Sequence, residues 1–287
     1  MPDTAIRVFR QAAGEIMKKP PLVLQTTTLW DYPSQHYGEG MQGDKDYVGA
    51  TPSYVIWNLL CRYTRPDDLV VDPMAGSGTT LDVCADLDRR AKGFDVAPIR
   101  RDIVEADARN IPMESNRADF VFVDPPYSTH VDYSDSPDCI GKLAATQSEY
   151  YIAMRRVVKE IHRILKPDRF MGLYVCDSFK KGEPFMPIGH GLFSIMCDYF
   201  EPVDVVAVVR HNKSLFRNHW HTAAIEGNYF LRGFNHLFIM YKPGPKSRRG
   251  EIPDRRDQRE TEGHLSARQP RDPRPGNPPP RHRKNRP

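Results

Sequence analysis

The sequence predicts an α/β fold in which helices cover a doubly wound, mainly parallel sheet of about seven strands. Three strand-like runs each end on an acid, namely Leu69–Asp72, Ala91–Asp95 and Phe120–Asp124. The first run continues into a glycine turn and then into the helical pattern of Thr80–Leu87. Because ligands of a doubly wound sheet bind at the carboxyl ends of its strands, these acids predict the position of a binding site.

The length and the charge distribution indicate one main domain followed by a basic tail. At 287 residues the chain is long enough for a full hydrophobic core. We predict an N-terminal helical extension over residues 1–24, a main domain over 25–243 and a tail over 244–287. The net charge of +4 conceals an asymmetry, because residues 242–287 contain 14 Lys/Arg and 6 Asp/Glu, a net charge of +8. The rest of the chain is therefore acidic, with a net charge of −4.

The five cysteines predict neither a disulfide framework nor a zinc site. Their number is odd and no Cys-x-x-Cys pair occurs, so a reducing compartment suits the chain better than an oxidising one. No apolar run has the length that a membrane span needs, and the N-terminus does not have the pattern of a secretory leader. We therefore expect a cytoplasmic protein.

The first 63 residues predict an irregular segment between two helices. Residues 1–20 carry apolar side chains at helical spacing. Residues 25–50 are rich in aromatic residues, glycines and polar residues, which is typical of an irregular segment that either covers a ligand or simply packs. Thr51-Pro52-Ser53 then begins a helix that runs to about Tyr63, with a hydroxyl side chain available as its N-cap.

Strands and helices alternate through the rest of the main domain. Ile103–Arg109 predicts the third strand and its exit, and Phe120–Asp124 contains the fourth. Tyr150–Leu165 has apolar residues at helical spacing and ends before a proline. The remaining strands are predicted at Phe170–Val175, Val203–Val209 and His236–Tyr241. From Gly244 onwards the composition lacks apolar periodicity, so we predict a disordered tail.

The fourth strand ends on Asp124-Pro125-Pro126-Tyr127, a pattern that predicts binding of a flat ring with an amine substituent. The two prolines fix successive φ angles and donate no N–H, so the chain is stiff and its carbonyl oxygens can accept hydrogen bonds. Asp124 and the Pro125 carbonyl would each accept an N–H of the amine, which restores the nitrogen lone pair, while Tyr127 would stack on the ring. A plain strand-end turn is the alternative for this tetrapeptide alone.

The glycine turn after the first strand predicts a nucleoside site. Gly76 and Gly78 allow a tight turn and a close approach by a ligand, and a helix start follows them. A dinucleotide fingerprint would need a third glycine where the chain has Leu81, and a phosphate-binding P-loop would need a lysine that is missing here. The turn therefore suits a nucleoside with a short zwitterionic tail, which indicates S-adenosylmethionine.

The two motifs, in this order, resemble those of the S-adenosylmethionine-dependent amino-methyltransferases that modify N4 of cytosine or N6 of adenine. Asp72–Thr80 resembles their cofactor motif, and Asp124–Tyr127 resembles their catalytic motif. The resemblance covers roughly residues 25 to 243 and implies the Rossmann-like, seven-stranded fold of class I methyltransferases, with an antiparallel last strand. No Pro-Cys pair of the kind that methylates cytosine at C5 occurs, which agrees with attack by an amine.

The resemblance also implies the residues of the site. Asp124, Pro125, Pro126 and Tyr127 would be catalytic. The cofactor would be bound by the glycine motif and the strand ends, through Thr51, Asp72, Pro73, Ala75, Gly76, Ser77, Gly78, Thr79, Asp95, Asp107 and Ala108. Asp95 would accept hydrogen bonds from the ribose and Asp107 from the adenine amine, unless Asp107 is only a surface acid. Thr51 would lie near the cofactor carboxylate, unless it is only an N-cap.

A stretch near the end of the domain predicts contact with nucleic acid. Residues 210–221 interleave cations with aromatic residues, a mixture that suits a nucleic-acid backbone with unstacked bases. We expect binding through Lys213, Phe216, Arg217 and Trp220, and a solvated hairpin extension is the alternative.

The expected function is methylation of an exocyclic amine in DNA, with N4 of cytosine favoured over N6 of adenine, without a metal. The segments available for reading a DNA sequence are short, so a structured RNA such as rRNA is an alternative substrate. A nucleic-acid-binding module that no longer catalyses is the third reading, and the intact catalytic motif argues against it.

Overall fold

A computed structural model describes residues 19–44, 46–131, 133–179, 182–211, 215 and 217–245. The predicted N-terminal helix lies outside these residues, except for Lys19 and Pro20, which are irregular. The tail predicted to be disordered, residues 244–287, lies outside them except for Gly244 and Pro245, and the Gly244 N–H donates to Asp168 Oδ1 at 2.9 Å. All described residues belong to one compact unit of the chain.

The described residues form one sheet of eight strands. In chain order they are β1 (Leu29–Trp30), β2 (Leu69–Asp72), β3 (Arg90–Asp95), β4 (Ile103–Glu105), β5 (Ala118–Val123), β6 (Leu165–Val175), β7 (Glu201–Val209) and β8 (Phe234–Lys242). Their order across the sheet is β1-β7-β8-β6-β5-β2-β3-β4. Every pairing is parallel except those of β8, which runs antiparallel to both β6 and β7.

This topology confirms the predicted fold class, a doubly wound sheet with an antiparallel last strand. The seven predicted strands correspond to β2 through β8. The eighth, β1, is only two residues long and pairs with the edge strand β7, so it has too few residues to show a strand pattern in the sequence.

Five α-helices accompany the sheet within the described residues. They are α1 (Ser53–Tyr63), α2 (Thr79–Asp86), α3 (Ser148–Ile164), α4 (Ile188–Met196) and α5 (Asn218–Glu226). The first three confirm the predicted helices, although no side chain caps the start of α1 and the predicted N-cap is wrong. The sequence predicted no helix at α4 or α5. A helix that buries only Ala224, as α5 does, shows no apolar stripe in its sequence.

The hydrophobic core lies on both faces of the sheet. One cluster packs α3 and α4 against it, and a second packs α1 and the aromatic residues of the N-terminal segment against the other face. All six residues of β5 are buried, as expected for a central parallel strand covered on both sides. This burial fixes the strand that leads into Asp124.

The strand order places β2 and β5 side by side at the point where the chain reverses direction across the sheet. From β2 the chain moves outward through β3 and β4, and it then returns to the other side of β2 to form β5. A crevice opens at such a switch point beyond the carboxyl ends of the strands. Asp72 and Asp124 therefore flank this crevice.

At the opposite end of the sheet, Asp119 ties β5 to both of its neighbours. Its carboxylate accepts hydrogen bonds from the Leu69 backbone N–H at 3.0 Å and from Lys166 Nζ at 2.7 Å. Burial raises the pKa of Asp119, but the bonds from Lys166 and Leu69 outweigh this effect and the pKa is lowered. Asp119 therefore contributes stability above its unfolded-state pKa, and this contribution is lost as the pH falls through the folded pKa.

We predict that Asp119→Ala lowers the free energy of unfolding by about 2–4 kcal/mol at pH 7, because it leaves the Leu69 N–H and the Lys166 ammonium without their partner. Chemical denaturation at pH 7 measures this loss. Glu226→Ala, which removes an exposed acid from α5, is the control and should change stability by less than about 0.5 kcal/mol. Equal free energies of unfolding for the two variants would show that the hydrogen bonds of Asp119 do not contribute to stability.

Candidate active site

Asp124 follows the last residue of β5 and is held by two hydroxyl groups. Thr51 Oγ1 donates to Asp124 Oδ2 at 2.5 Å, and the Tyr127 hydroxyl donates to Asp124 Oδ1 at 2.5 Å. Tyr150 fixes the following turn, because its hydroxyl donates to the Pro126 carbonyl at 2.9 Å. The carboxylate thus has a defined orientation at the mouth of the crevice.

Asp72 is held in the same manner at the end of β2. Thr80 Oγ1 donates to Asp72 Oδ2 at 2.5 Å, and the Met74 N–H donates to Oδ1 at 3.0 Å. The side chain of Asp72 is 4% exposed. This pair of bonds anchors the glycine turn to the strand before it.

Asp95 closes the glycine turn from the neighbouring strand β3. Its carboxylate accepts from the Gly76 N–H at 2.9 Å and from the Ala97 N–H at 3.0 Å. The N–H groups of Ala75 and Gly78 are also bonded, to the carbonyls of Phe94 and Ala75. Three N–H groups of the turn are therefore engaged within the protein, so the turn is not a phosphate cradle.

Two adjoining cavities occupy the crevice. The larger, of about 620 Å³, is lined at the ends of β3, β4 and β5, and the smaller, of about 380 Å³, lies against the glycine turn. Asp124 lines both and stands at their junction. The acids around them are Asp72, Asp95, Asp107, Asp124 and Asp138, and none of the described lining residues is Lys, Arg or His. Such a cleft favours a cation over a phosphate.

Burial of these carboxylates shifts their titration. Burial raises the pKa of Asp124 to about 7, against the hydrogen bonds from Thr51 and Tyr127, and the charge of Asp72 adds to the rise. Burial likewise raises the pKa of Asp72 to about 7, against the bonds from Thr80 and Met74. Both acids therefore titrate near neutral pH, where a small change in their surroundings alters their charge.

Two tyrosines outside the predicted site residues, Tyr47 and Tyr133, line both cavities. Tyr47 packs so closely on the turn that a Cβ atom at Gly76, whose φ is +44°, would lie 2.8 Å from its ring. Tyr133 follows the catalytic motif, and burial raises its pKa to about 12. Both tyrosines are far in sequence from Gly76 and Gly78. Tyr47 falls within the aromatic segment that was expected to cover a ligand or to pack.

The aromatic segment over residues 25–50 contributes both to the core and to the lining of the cavities. Trp30, Tyr32 and Tyr37 are buried in the core, whereas Tyr47 faces the cavities. The Gly43 N–H donates to Asp82 Oδ2 at 2.7 Å and the Asp44 N–H to the Ser77 carbonyl at 2.9 Å, so the segment is fastened over the glycine turn.

The structure gathers most of the predicted site residues at these cavities. Pro73, Asp95, Asp107, Ala108, Asp124 and Pro126 line the larger one, and Thr51, Asp72, Ala75, Gly76, Ser77, Thr79, Asp124 and Pro125 line the smaller one. Gly78 lies behind the turn as the N-cap of α2. Tyr127 lines neither cavity, because its hydroxyl bonds to Asp124 and its ring packs on the core. The stacking role of Tyr127 stays a prediction.

Asp107 is already paired within the protein. Arg109 Nη2 lies 2.6 Å from Asp107 Oδ2, and the Arg109 N–H donates to Oδ1 at 2.8 Å. Although burial raises the pKa of Asp107, the bonds from Arg109 lower it. The predicted bond from Asp107 to an adenine amine stays a prediction.

The predicted nucleic-acid contacts are only partly described. Lys213 and Phe216 lie outside the described residues. Arg217 and Trp220 are exposed at the start of α5, with Trp220 41% exposed. The strand before this segment, β7, runs parallel to β6, so the segment leaves the sheet at the same edge as the crevice.

Comparison with known protein families gives a methylase match for the first part of the chain. A family model described as DNA methylase (N6_N4_Mtase) matches residues 2–105, which include the glycine motif and end before the Asp124 motif. The match confirms the resemblance noted in the sequence over this stretch. With the acid-ended strands of the doubly wound sheet, it identifies an S-adenosylmethionine-dependent methyltransferase.

The solved structures with a similar fold are distant. The cyclase SpnF has 15% identity and a TM-score of 0.45, with 72% of this chain and 88% of that chain covered. TrmN from Thermus thermophilus has 15% identity and a TM-score of 0.46, with 68% and 50% covered. The geranyl diphosphate C-methyltransferase from Streptomyces coelicolor has 12% identity and a TM-score of 0.43, with 67% and 78% covered. Likenesses this distant carry no argument about activity.

No curated protein matches the chain in sequence. Across the described part of the chain, no helix has the length and apolar character required to cross a membrane.

The raised pKa of Asp124 predicts that Asp124→Asn stabilises the protein more at pH 8 than at pH 5. The folded pKa lies above the unfolded value, so the free energy of unfolding of the wild type falls as the pH rises from about 4 to 7. Asparagine carries no charge at either pH, so the free energy of unfolding of the variant does not fall in this way. The extra gain at pH 8 is at most about 2–3 kcal/mol, since one pKa unit corresponds to about 1.4 kcal/mol.

Thermal melting at the two pH values measures this difference. Asp135→Asn, at an exposed acid in the loop after β5, is the control and should melt like the wild type at both. A gain for Asp124→Asn that does not depend on pH would contradict the assigned titration.

Proposed function

We propose that the protein transfers the methyl group of S-adenosylmethionine to an exocyclic amine of a nucleobase in DNA, most favourably N4 of cytosine and otherwise N6 of adenine. The observation that carries this proposal is the position of Asp124 at the junction of the two cavities, beside the rigid Pro125-Pro126 turn. One cavity accommodates the adenosine, the methionine end lies against the glycine turn, and the reacting groups meet at Asp124.

The charge of the crevice supports S-adenosylmethionine as the cofactor. Its sulfonium carries a positive charge, and the described lining offers five carboxylates and no cation. Opposite charges at a partly buried site attract strongly because the surrounding dielectric is low. Asp95 lies at the end of β3, where a ribose hydroxyl would find an acceptor.

Asp124 supports attack by an amine. The lone pair of an exocyclic amine is delocalised into the ring, so catalysis must localise it on nitrogen. An acceptor on the amine N–H favours a pyramidal nitrogen whose lone pair points at the methyl carbon. The N–C bond forms as the S–C bond breaks, the electron pair stays on sulfur, and the amine proton passes to Asp124. A base with a pKa of about 7 is well matched to this step.

Exposed aromatic side chains near the crevice support a nucleic-acid substrate. Phe185, Trp220, Phe230 and Phe234 are exposed on segments that leave the sheet at this edge. Arg232 lies over the Phe185 ring at 5.1 Å. Bases that have left a duplex stack on such rings, and arginine pairs with phosphate.

A structured RNA is the second candidate substrate, because the described segments at this edge are short. The connections run over residues 124–147, 176–187 and 210–233, and the last contains only the nine-residue helix α5. Reading a long DNA sequence requires many contacts to base edges, whereas RNA offers exposed bases in loops.

Incubation with methyl-labelled S-adenosylmethionine and either genomic DNA or total RNA separates these substrates. We predict label in N4-methyldeoxycytidine or N6-methyldeoxyadenosine, identified by mass spectrometry of the nucleosides. Asp124→Ala should abolish the label while leaving the dissociation constant of the cofactor within about threefold, and Asp135→Ala should methylate like the wild type.

Label confined to a ribonucleoside would replace DNA by RNA as the substrate. Binding of the cofactor without label in either pool would overturn the proposal and favour a binding module. Unchanged turnover of Asp124→Ala would refute the role of that residue.

The ribose contact of Asp95 is tested by cofactor binding alone. We predict that Asp95→Ala weakens S-adenosylhomocysteine binding by at least about tenfold, measured by calorimetry, because a charge-assisted hydrogen bond is lost. Glu105→Ala, at the exposed end of β4, is the control and should bind normally.

A 2′-deoxy analogue distinguishes a ribose contact from a collapse of the glycine turn that Asp95 also supports. The wild type should bind the analogue more weakly than S-adenosylhomocysteine, and Asp95→Ala should bind the two equally. An equal loss of both ligands on substitution would assign Asp95 to the turn only.

A further inference from the structure

A second cluster of polar side chains lies beyond the carboxyl end of β6. It consists of Asp177, which follows the strand, His190 in the first turn of α4, and His236 near the start of β8. The ligand atoms of all three lie within 4.8 Å of one another. Among the described residues, no other set of three histidines, cysteines or acids comes together in this way.

We propose that Asp177, His190 and His236 form a binding site for one divalent transition-metal ion, with zinc the best suited. Two imidazoles and one carboxylate are a donor set that zinc and similar ions accept. Three protein ligands leave the fourth position of a tetrahedral ion for water. This proposal is independent of the proposed methyl transfer.

His236 is positioned before any metal binds. Its ring stacks on Phe238 with centroids 5.4 Å apart and an angle of 8°, and its edge contacts Phe234 at 5.1 Å. A Cβ atom at Gly189 would lie 2.5 Å from the His236 ring, so that ring position requires glycine there. The neighbouring chain is thus shaped around this imidazole.

Asp177 is oriented by a bond from the backbone. Its Oδ1 accepts from the Gly189 N–H at 2.9 Å, while its Oδ2 lies 3.1 Å from His236 Nε2. Outer hydrogen bonds of this kind hold a metal-binding carboxylate in place.

His190 supplies the adjustable third ligand. Its ring meets the His236 ring edge-on, with centroids 5.6 Å apart, and its side chain is exposed. Ligand atoms about 2.0–2.1 Å from a tetrahedral zinc ion are about 3.3 Å apart. Asp177 and His236 already lie at about this separation, at 3.1 Å, so only the distances to His190, which are at most 4.8 Å, have to close. Rotation of an exposed ring can supply this movement.

The alternative reading is an ion pair between Asp177 and His236 that binds no metal. The chain has a comparable pair elsewhere, because His211 Nε2 lies 2.6 Å from Asp31 Oδ1. That pair belongs to no cluster of three metal-binding side chains in the described part of the chain. His211 therefore provides a matched control at a histidine–carboxylate pair.

The test is titration of the full-length, EDTA-treated protein with Co²⁺ and Zn²⁺. We expect one Co²⁺ per chain with visible absorption, displacement by Zn²⁺, and a rise in melting temperature on addition of Zn²⁺. His190→Ala and Asp177→Asn should each weaken Co²⁺ binding by at least about tenfold and remove the rise in melting temperature, whereas His211→Ala should retain both.

Because His190 is exposed, His190→Ala should have the melting temperature of the metal-stripped wild type. If Asp177→Asn fails to fold, the His190→Ala variant alone tests the proposal. The proposal is overturned if the wild type binds no Co²⁺ at one equivalent. It is also overturned if His190→Ala binds as tightly as His211→Ala, because the ion would then be held elsewhere.

Discussion

Two acids at the ends of neighbouring strands, Asp72 on β2 and Asp124 after β5, form the constraint on which the crevice depends. Each accepts two hydrogen bonds at the end of its strand. The charge of Asp72 raises the pKa of Asp124, and the charge of Asp95 raises the pKa of Asp72. No cation among the described lining residues balances them. A site of this kind holds electrostatic free energy that a positively charged ligand releases when it binds. A sulfonium cofactor is such a ligand, and after methyl transfer its sulfur is neutral.

The surrounding fold keeps these two acids from moving apart or into solvent. All six residues of β5 are buried, and Asp119 ties that strand to β2 and β6 at the end away from the crevice. Thr51 reaches Asp124 from the segment before α1, so the N-terminal part of the chain fixes the orientation of an acid 73 residues later. Stability and function oppose each other here, since the charges that attract the cofactor destabilise the empty crevice.

The sequence predicted those parts of the site that follow from local patterns. Each strand with an acid at its end was visible because burial on both faces demands apolar residues and a site demands polar ones. Tyr47 and Tyr133 were not among the predicted site residues, because the irregular segments that bring them to the crevice have no periodic pattern that would place their side chains. The N-cap expected at Thr51 was wrong because its hydroxyl donates to Asp124 instead of to the helix. The cluster at Asp177, His190 and His236 likewise joins three elements whose separation in sequence hides it.

The charge of the crevice also limits how a nucleic acid can approach it. Phosphate groups carry negative charge, and five carboxylates line the described cavities, so the backbone of a nucleic acid is repelled from them. A nucleobase is neutral and its amine is a hydrogen-bond donor, so the base is the part of the substrate that the acids attract. Arg217, Arg232 and exposed aromatic side chains lie on the connection between β7 and β8, which leaves the sheet at the same end as the crevice. Under the proposed function, an acidic cavity that repels phosphate would admit the target base only after the base has left its stack.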